Sequence, residues 1–312
     1  MKKSSINLKS LKKINKLGTP GIVTGVFLAF TLFVLILYNS GVGLASDIGI
    51  QEPSMTDVDI SLAPPSVVAD AEQMAAEVVG VNAENYQKVV RELVGSYLDA
   101  LSADVVIFFN SGGMGWNYVY QTPGWQSILN GIVYELKMLG YHPLILNYSR
   151  TSRDFWSNIK ETIEAATRYT QKVIGMENRV KFLIDHLPNL KFIIAGESTG
   201  SVISEEAMKY FRENPNVYSI QTGCPFWYKT TDQARTLRIT SNGYGVDTFA
   251  YGNVPSMIWC TFRGWFGFES PEENAGNVLK TFRAPGHDYT WNYDAIRSDI
   301  VGFLKENFPE QN

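Results

Sequence analysis

Short, uninterrupted apolar runs alternate along this chain with longer stretches in which apolar residues recur at helical spacing. The runs at 104–109, 143–146, 192–195, 217–221, 236–240 and 278–282 predict strands. The longer stretches predict helices over 86–101, 125–139, about 156–187, 201–214 and 293–307. Runs such as Val105-Val106-Ile107-Phe108-Phe109 lack the polar alternation of a half-exposed strand, so they belong in a sheet covered on both faces. Strand and helix in turn give an α/β fold: a mostly parallel central sheet with helices on both sides. In such sheets function gathers at the carboxyl ends of the strands.

A different pattern precedes that alternation. Residues 21–38, GIVTGVFLAFTLFVLILY, carry no charge, and eighteen residues in a helix rise about 27 Å, close to the hydrocarbon thickness of a bilayer. Six lysines and no acid lie in the first 16 residues, and the next basic residue after the segment is Lys88. That asymmetry predicts one N-terminal transmembrane helix with its start in the cytoplasm and everything downstream outside. Gly43-Leu44-Ala45 offers a signal-peptidase site, so the segment reads either as a retained anchor or as a cleaved signal. Residues 1–46 are therefore the basic segment with its anchor or signal. Residues 47–83, with Pro53, Pro64, Pro65 and many small residues, read as a stalk or linker, and 84–312 as one domain.

Charge and composition narrow the chemistry. The chain has 27 basic and 31 acidic residues, and with the six leading lysines set aside the exported part carries about −10, which argues against a nucleic-acid partner. Two cysteines and three histidines make no zinc signature, and no metal or other cofactor is expected. Cys224 and Cys260 read either as one disulfide in an oxidising space or as two buried thiols.

The candidate chemistry centres on Gly196-Glu197-Ser198-Thr199-Gly200, a GxSxG sequence between a predicted strand and a predicted helix. Its glycines let the chain reverse so tightly that Ser198 takes a strained conformation with its hydroxyl above the sheet. A serine hydroxyl needs a base. His142 enters a strand and His186 leaves a helix before one, so both fall at the wrong end of the sheet; His287 alone follows a strand, in a glycine-containing loop.

This order of elements, with GESTG after one strand and PGHDYTW after the last, resembles the α/β-hydrolase superfamily from about residue 104 to the C-terminus. The resemblance implies a Ser198 nucleophile, a His287 base, and an acid just beyond a strand edge after the elbow. Asp247 holds that place; Asp232, Glu269, Glu272 and Glu273 are rivals, and Asp288 adjoins the histidine and would point away. It also implies an oxyanion hole built from the Thr199 N–H and a donor in the Asn110-Ser111-Gly112-Gly113 loop, Gly112 or Ser111. That loop departs from the His-Gly and HGGG forms common in the superfamily. The aromatic segment 249–268 reads as an acyl pocket, a lid or a packed excursion, with Trp259 and Trp265 as substrate contacts and Trp116 on the opposite wall. The expected activity is an extracytoplasmic serine hydrolase cleaving an ester, carboxylesterase-like or lipase-like. The same triad would equally serve a peptidase or an acyltransferase, and the fold alone could serve a binding protein.

Overall fold

In the computed structural model of the protein, residues 58–82, 85–113, 118–148, 169–268, 277–279 and 282–311 are described. Five strands make the main sheet: β1 (Val105–Asn110), β2 (Pro143–Asn147), β3 (Lys191–Glu197), β4 (Val217–Thr222) and β5 (Thr236–Ile239). All neighbours are parallel, in the order β2-β1-β3-β4-β5. The register sets Asn110 beside Gly196 at the end of the central pair. The first glycine-rich loop and the GESTG turn therefore leave the sheet side by side.

The helices are α1 (Pro65–Val79), α2 (Tyr86–Ala100), α3 (Pro123–Met138), α4 (Thr170–His186), α5 (Thr199–Tyr210), α6 (Val254–Trp265) and α7 (Asp294–Asn307). Successive residues of a strand point to opposite faces, and β1 and β3 divide accordingly. Val106, Phe108, Phe192 and Ile194 pack among residues of α1, α2, α4 and α5. Val105, Ile107, Phe109, Ile193 and Ala195 pack among residues of α3 and α7. Both faces of the central strands are apolar because both are covered, which explains the absence of polar alternation. Each large side chain so buried contributes about 1.5–3 kcal/mol.

Three expectations change. The segment read as a stalk carries α1, whose Val67, Ala71 and Ala75 are buried in the core against α2, while Val58 packs beside Gly95. Pro65 opens this helix at its first turn, where a missing N–H costs nothing. The packed domain thus reaches back to Val58. The run at 278–282 does not join the parallel sheet: β6 (Asn277–Leu279) and β7 (Phe282–Arg283) pair antiparallel with each other. Phe282 is buried with Phe249, Val254, Met257 and Ala284, and Arg283 N–H donates to Thr261 Oγ1 at 2.9 Å, so α6 covers this hairpin instead of the sheet doing so. Within 249–268, α6 itself is regular: the Asn253 side chain caps it, accepting from Ser256 N–H, and Val254, Met257, Cys260 and Thr261 form its buried stripe.

At the sheet edge, Glu205 of α5 is fully buried and accepts from Arg238 of β5 at 2.8 Å, from Thr231 N–H at 2.8 Å and from Thr231 Oγ1 at 3.0 Å. Burial by itself would raise its pKa; the Thr231 backbone and Arg238 more than offset that and hold it below the usual carboxylate value. The pair pins β5, whose end leads to Asp247. Among the described residues no helix is long and apolar enough to cross a membrane; segment 21–38 and the stretch 149–168 between β2 and α4 lie outside them.

Candidate active site

Ser198 stands between the last residue of β3 and the first of α5 with φ 51° and ψ −119°. A non-glycine residue in that region stores about 1–3 kcal/mol of strain and persists only where its surroundings over-determine it. They do so here. Ser198 N–H donates to Thr222 O of β4 at 2.9 Å, and the Ser201 hydroxyl, fully buried, sits between Gly196 O at 2.9 Å and Thr222 O at 2.8 Å. At Gly200 a Cβ would fall 2.2 Å from Asn110 O, so only glycine lets α5 start this close to the end of β1. The GxSxG sequence thus forms the tight strand-to-helix turn that its glycines suggest.

Asp247 and His287 meet forty residues apart in sequence: Asp247 Oδ2 lies 2.7 Å from His287 Nδ1, with the two side chains fully buried and 5% exposed. The Asp247 loop is joined to the histidine loop by Thr248 N–H and Thr248 Oγ1, both donating to Pro285 O. Asp247 Oδ1 accepts from Phe249 N–H and Ala250 N–H, each at 2.9 Å, and Oδ2 accepts from the Tyr289 hydroxyl at 2.5 Å. With Nδ1 on the carboxylate, Nε2 is left as the working nitrogen of the imidazole.

Gly223 brings this pair to the elbow. It follows Thr222, whose carbonyl holds Ser198, and has φ +57°; a Cβ there would lie 2.5 Å from His287 Cε1 and 2.9 Å from Tyr289 Cε2. The imidazole therefore lies close against the backbone that supports the serine. Ser198 is 3% exposed, and its Oγ makes no hydrogen bond. Unliganded sites often lack the serine-to-base hydrogen bond, which forms when substrate arrives.

The remaining predicted positions fall unevenly. Thr199 opens α5, where the helix dipole favours negative charge, and its hydroxyl donates to Gly113 O at 2.7 Å, holding the glycine-rich loop over the elbow. Gly112 is within reach of the same point, since a Cβ on it would sit 3.2 Å from Ser198 Cβ. Its N–H, however, donates to the Glu197 carboxylate at 3.2 Å. Trp259 and Trp265 lie on the outer side of α6, 64% and 46% exposed, away from its buried stripe, and Trp116 lies outside the described residues. The aromatic residues gathered at the histidine are others: Phe249, centred 4.7 Å from the imidazole, and Trp227 and Phe226, edge-on to Phe249 at 5.2 and 6.4 Å. Phe226 and Trp227 follow β4 at its carboxyl end, a position that the strand alternation marks as functional. The Asp288 carboxylate does turn away, to Asn242 Nδ2 at 2.9 Å and the Tyr293 hydroxyl at 2.5 Å.

Cys224 and Cys260 are both buried and are not joined in a disulfide, and burial, with Glu205 nearby, pushes the Cys224 thiol up to about 12. Burial first and the Asp247 charge second raise Tyr289 far above the ordinary phenol, so it donates at any physiological pH. Among the described residues no three His, Cys, Asp or Glu side chains are grouped to hold a metal ion.

No protein-family model and no curated protein matches the chain. Solved structures do. A Trichoderma reesei cutinase in complex with a C11Y4 phosphonate inhibitor is similar over 77% of this chain and 90% of its own, at 14% identity and a TM-score of 0.42. A cutinase-like protein from Cryptococcus sp. is similar over 55% of this chain and 98% of its own, at 15% identity and a TM-score of 0.32.

Proposed function

We propose that the domain is a serine hydrolase that cleaves carboxylic esters, displayed outside the cytoplasm by the apolar segment at 21–38. The observation that carries this reading is the juxtaposition of a strained, buried Ser198 at the start of α5 with a buried Asp247–His287 pair packed close to Gly223. In the proposed reaction Ser198 Oγ attacks the carbonyl carbon while its proton passes to His287 Nε2. Asp247 fixes the tautomer and stabilises the imidazolium. The carbonyl electrons move to oxygen, where Thr199 N–H and Gly112 N–H receive the charge; for this Gly112 exchanges the Glu197 carboxylate for the oxyanion. Collapse expels the alkoxide, which takes the proton from Nε2, and water then repeats the sequence to release the acid and regenerate Ser198. Phe249, Trp227 and Phe226 form an apolar wall beside the histidine, which supports an ester with an apolar acyl group.

A fluorophosphonate probe followed by peptide mapping tests the nucleophile, and p-nitrophenyl esters of increasing chain length test the reaction. The expected result is one label, on Ser198, with turnover reduced about 10⁴-fold in Asp247→Asn, where the imidazole is held in the wrong tautomer. A folded parent domain that takes up no probe and cleaves no ester at neutral pH overturns the proposal.

A further inference from the structure

The carboxylate of Asp247 has a fourth partner that the proposed chemistry does not require. Backbone N–H groups of Phe249 and Ala250 occupy Oδ1, and His287 Nδ1 needs Oδ2; the Tyr289 hydroxyl also donates to Oδ2, at 2.5 Å. Tyr289 is 5% exposed, and its ring meets the imidazole edge-on at 5.9 Å while lying close against Gly223. Its chain segment is fixed independently, by Ser127 of α3, whose hydroxyl contacts Thr290 Oγ1 at 2.9 Å and accepts from Trp291 N–H at 3.0 Å. The phenol is thus held rigidly against the acid from the far side of the site.

Resting on the esterase reading, we propose that Tyr289 is a positioning residue that sets the basicity of the Asp247–His287 pair. A donor on Oδ2 draws charge from the carboxylate and competes with the imidazole for the same oxygen. The bond is stronger when the imidazole is neutral than when an imidazolium already neutralises the acid, so it favours the neutral base. The effect is to keep His287 able to accept a proton at lower pH while its ring stays in one orientation. Other titratable groups around the pair do not duplicate this: Asp288 is turned to Asn242 and Tyr293, Tyr251 is 65% exposed, Cys224 stays a thiol, and Ser198 is the group served.

Tyr289→Phe removes the hydroxyl and keeps the ring. Tyr293→Phe is the control, because it removes a hydroxyl from the neighbouring Asp288 carboxylate instead. For Tyr289→Phe the acid limb of kcat/KM is expected to move up by about half a pH unit, with kcat at pH 7 falling by no more than about threefold and KM little changed; Tyr293→Phe leaves the limb in place. The imidazole C–H resonance of His287, followed by NMR across pH, is expected to move the same way in the same variant, and it reads the coupling whether or not the domain cleaves esters. Loss of activity without a shift in either titration, or an equal shift in Tyr293→Phe, overturns the proposal. If Tyr289→Phe does not fold, adding fluorotyrosines biosynthetically keeps the ring and makes the phenol a stronger donor, and the same titration is then expected to move down; no movement, or movement up, overturns the proposal.

Discussion

The backbone at Ser198 and its unpartnered hydroxyl make a stability prediction that activity alone does not test. Two costs are stored at one residue. The first is conformational: φ 51° and ψ −119° cost a residue with a Cβ about 1–3 kcal/mol, and glycine almost nothing. The second is desolvation: a buried hydroxyl without a hydrogen bond costs about 1–3 kcal/mol. Ser198→Ala removes only the second, and Ser198→Gly removes both, less the roughly 0.5–1 kcal/mol of extra chain entropy that glycine loses on folding. Stability is therefore expected to rise from Ser to Ala to Gly in steps of about 1 kcal/mol, or about 2–4 °C in Tm for a domain of this size. Both variants should lose on the order of 10⁶ in turnover, about 8 kcal/mol of transition-state stabilisation. Scanning calorimetry of the three proteins, beside p-nitrophenyl ester turnover, is the assay. A Ser198→Gly protein that melts below Ser198→Ala refutes the strain argument, and a parent more stable than both refutes the whole account.

Two further outcomes follow from single contacts. Gly223→Ala would drive a methyl to 2.5 Å from His287 Cε1, so turnover should fall by about 10² or more, the cost of a misplacement near 1 Å, with the far-ultraviolet spectrum unchanged; an active alanine variant would mean that the imidazole does not rest on Gly223. Alkali should expose the buried thiol: folded Cys224 keeps its proton to about pH 12 while the unfolded chain releases it near the ordinary thiol value. Stability from this residue is therefore intact below about pH 8.5 and declines by about 1.4 kcal/mol per pH unit above it until the folded pKa is reached. Urea midpoints at pH 8 and pH 10 should fall less in Cys224→Ala than in the parent, and parallel falls would remove Cys224 as the cause.

The elbow was legible because Gly196, Ser198 and Gly200 are neighbours in sequence, and the turn they form is local. The alternation of runs likewise reports the parallel sheet, since its strands are buried on both faces. Long-range partners leave no such trace. Nothing in the sequence around Tyr289 indicates that its hydroxyl reaches Asp247, and nothing around Gly112 indicates that Glu197 takes its N–H. The helix inside the segment read as a stalk was hidden by Pro65, which looks like a breaker and starts it, and by Ala71 and Ala75, whose burial depends on α2. The helix α6 was masked by its aromatics: Trp259, Phe262 and Trp265 are on the outer side, so its surface lacks the polar face by which amphipathic helices are read. The run at 278–282 has the composition of a strand, but its apolar residue Phe282 finds its cover in α6.

The order β2-β1-β3-β4-β5 has a consequence for how the protein must be made. Every pairing in the sheet except β4 with β5 joins segments separated by a helix or more, and the central pair, Val105 with Lys191, closes a long loop before its first hydrogen bond forms. Until α3, α5 and α7 dock, the VVIFF and FIIA segments are uncharged, β-prone edges open to the same segments of other chains. Refolding from denaturant is thus a race between slow intramolecular closure and bimolecular association. The recovered fraction should fall steeply with protein concentration while the rate of the productive phase does not change.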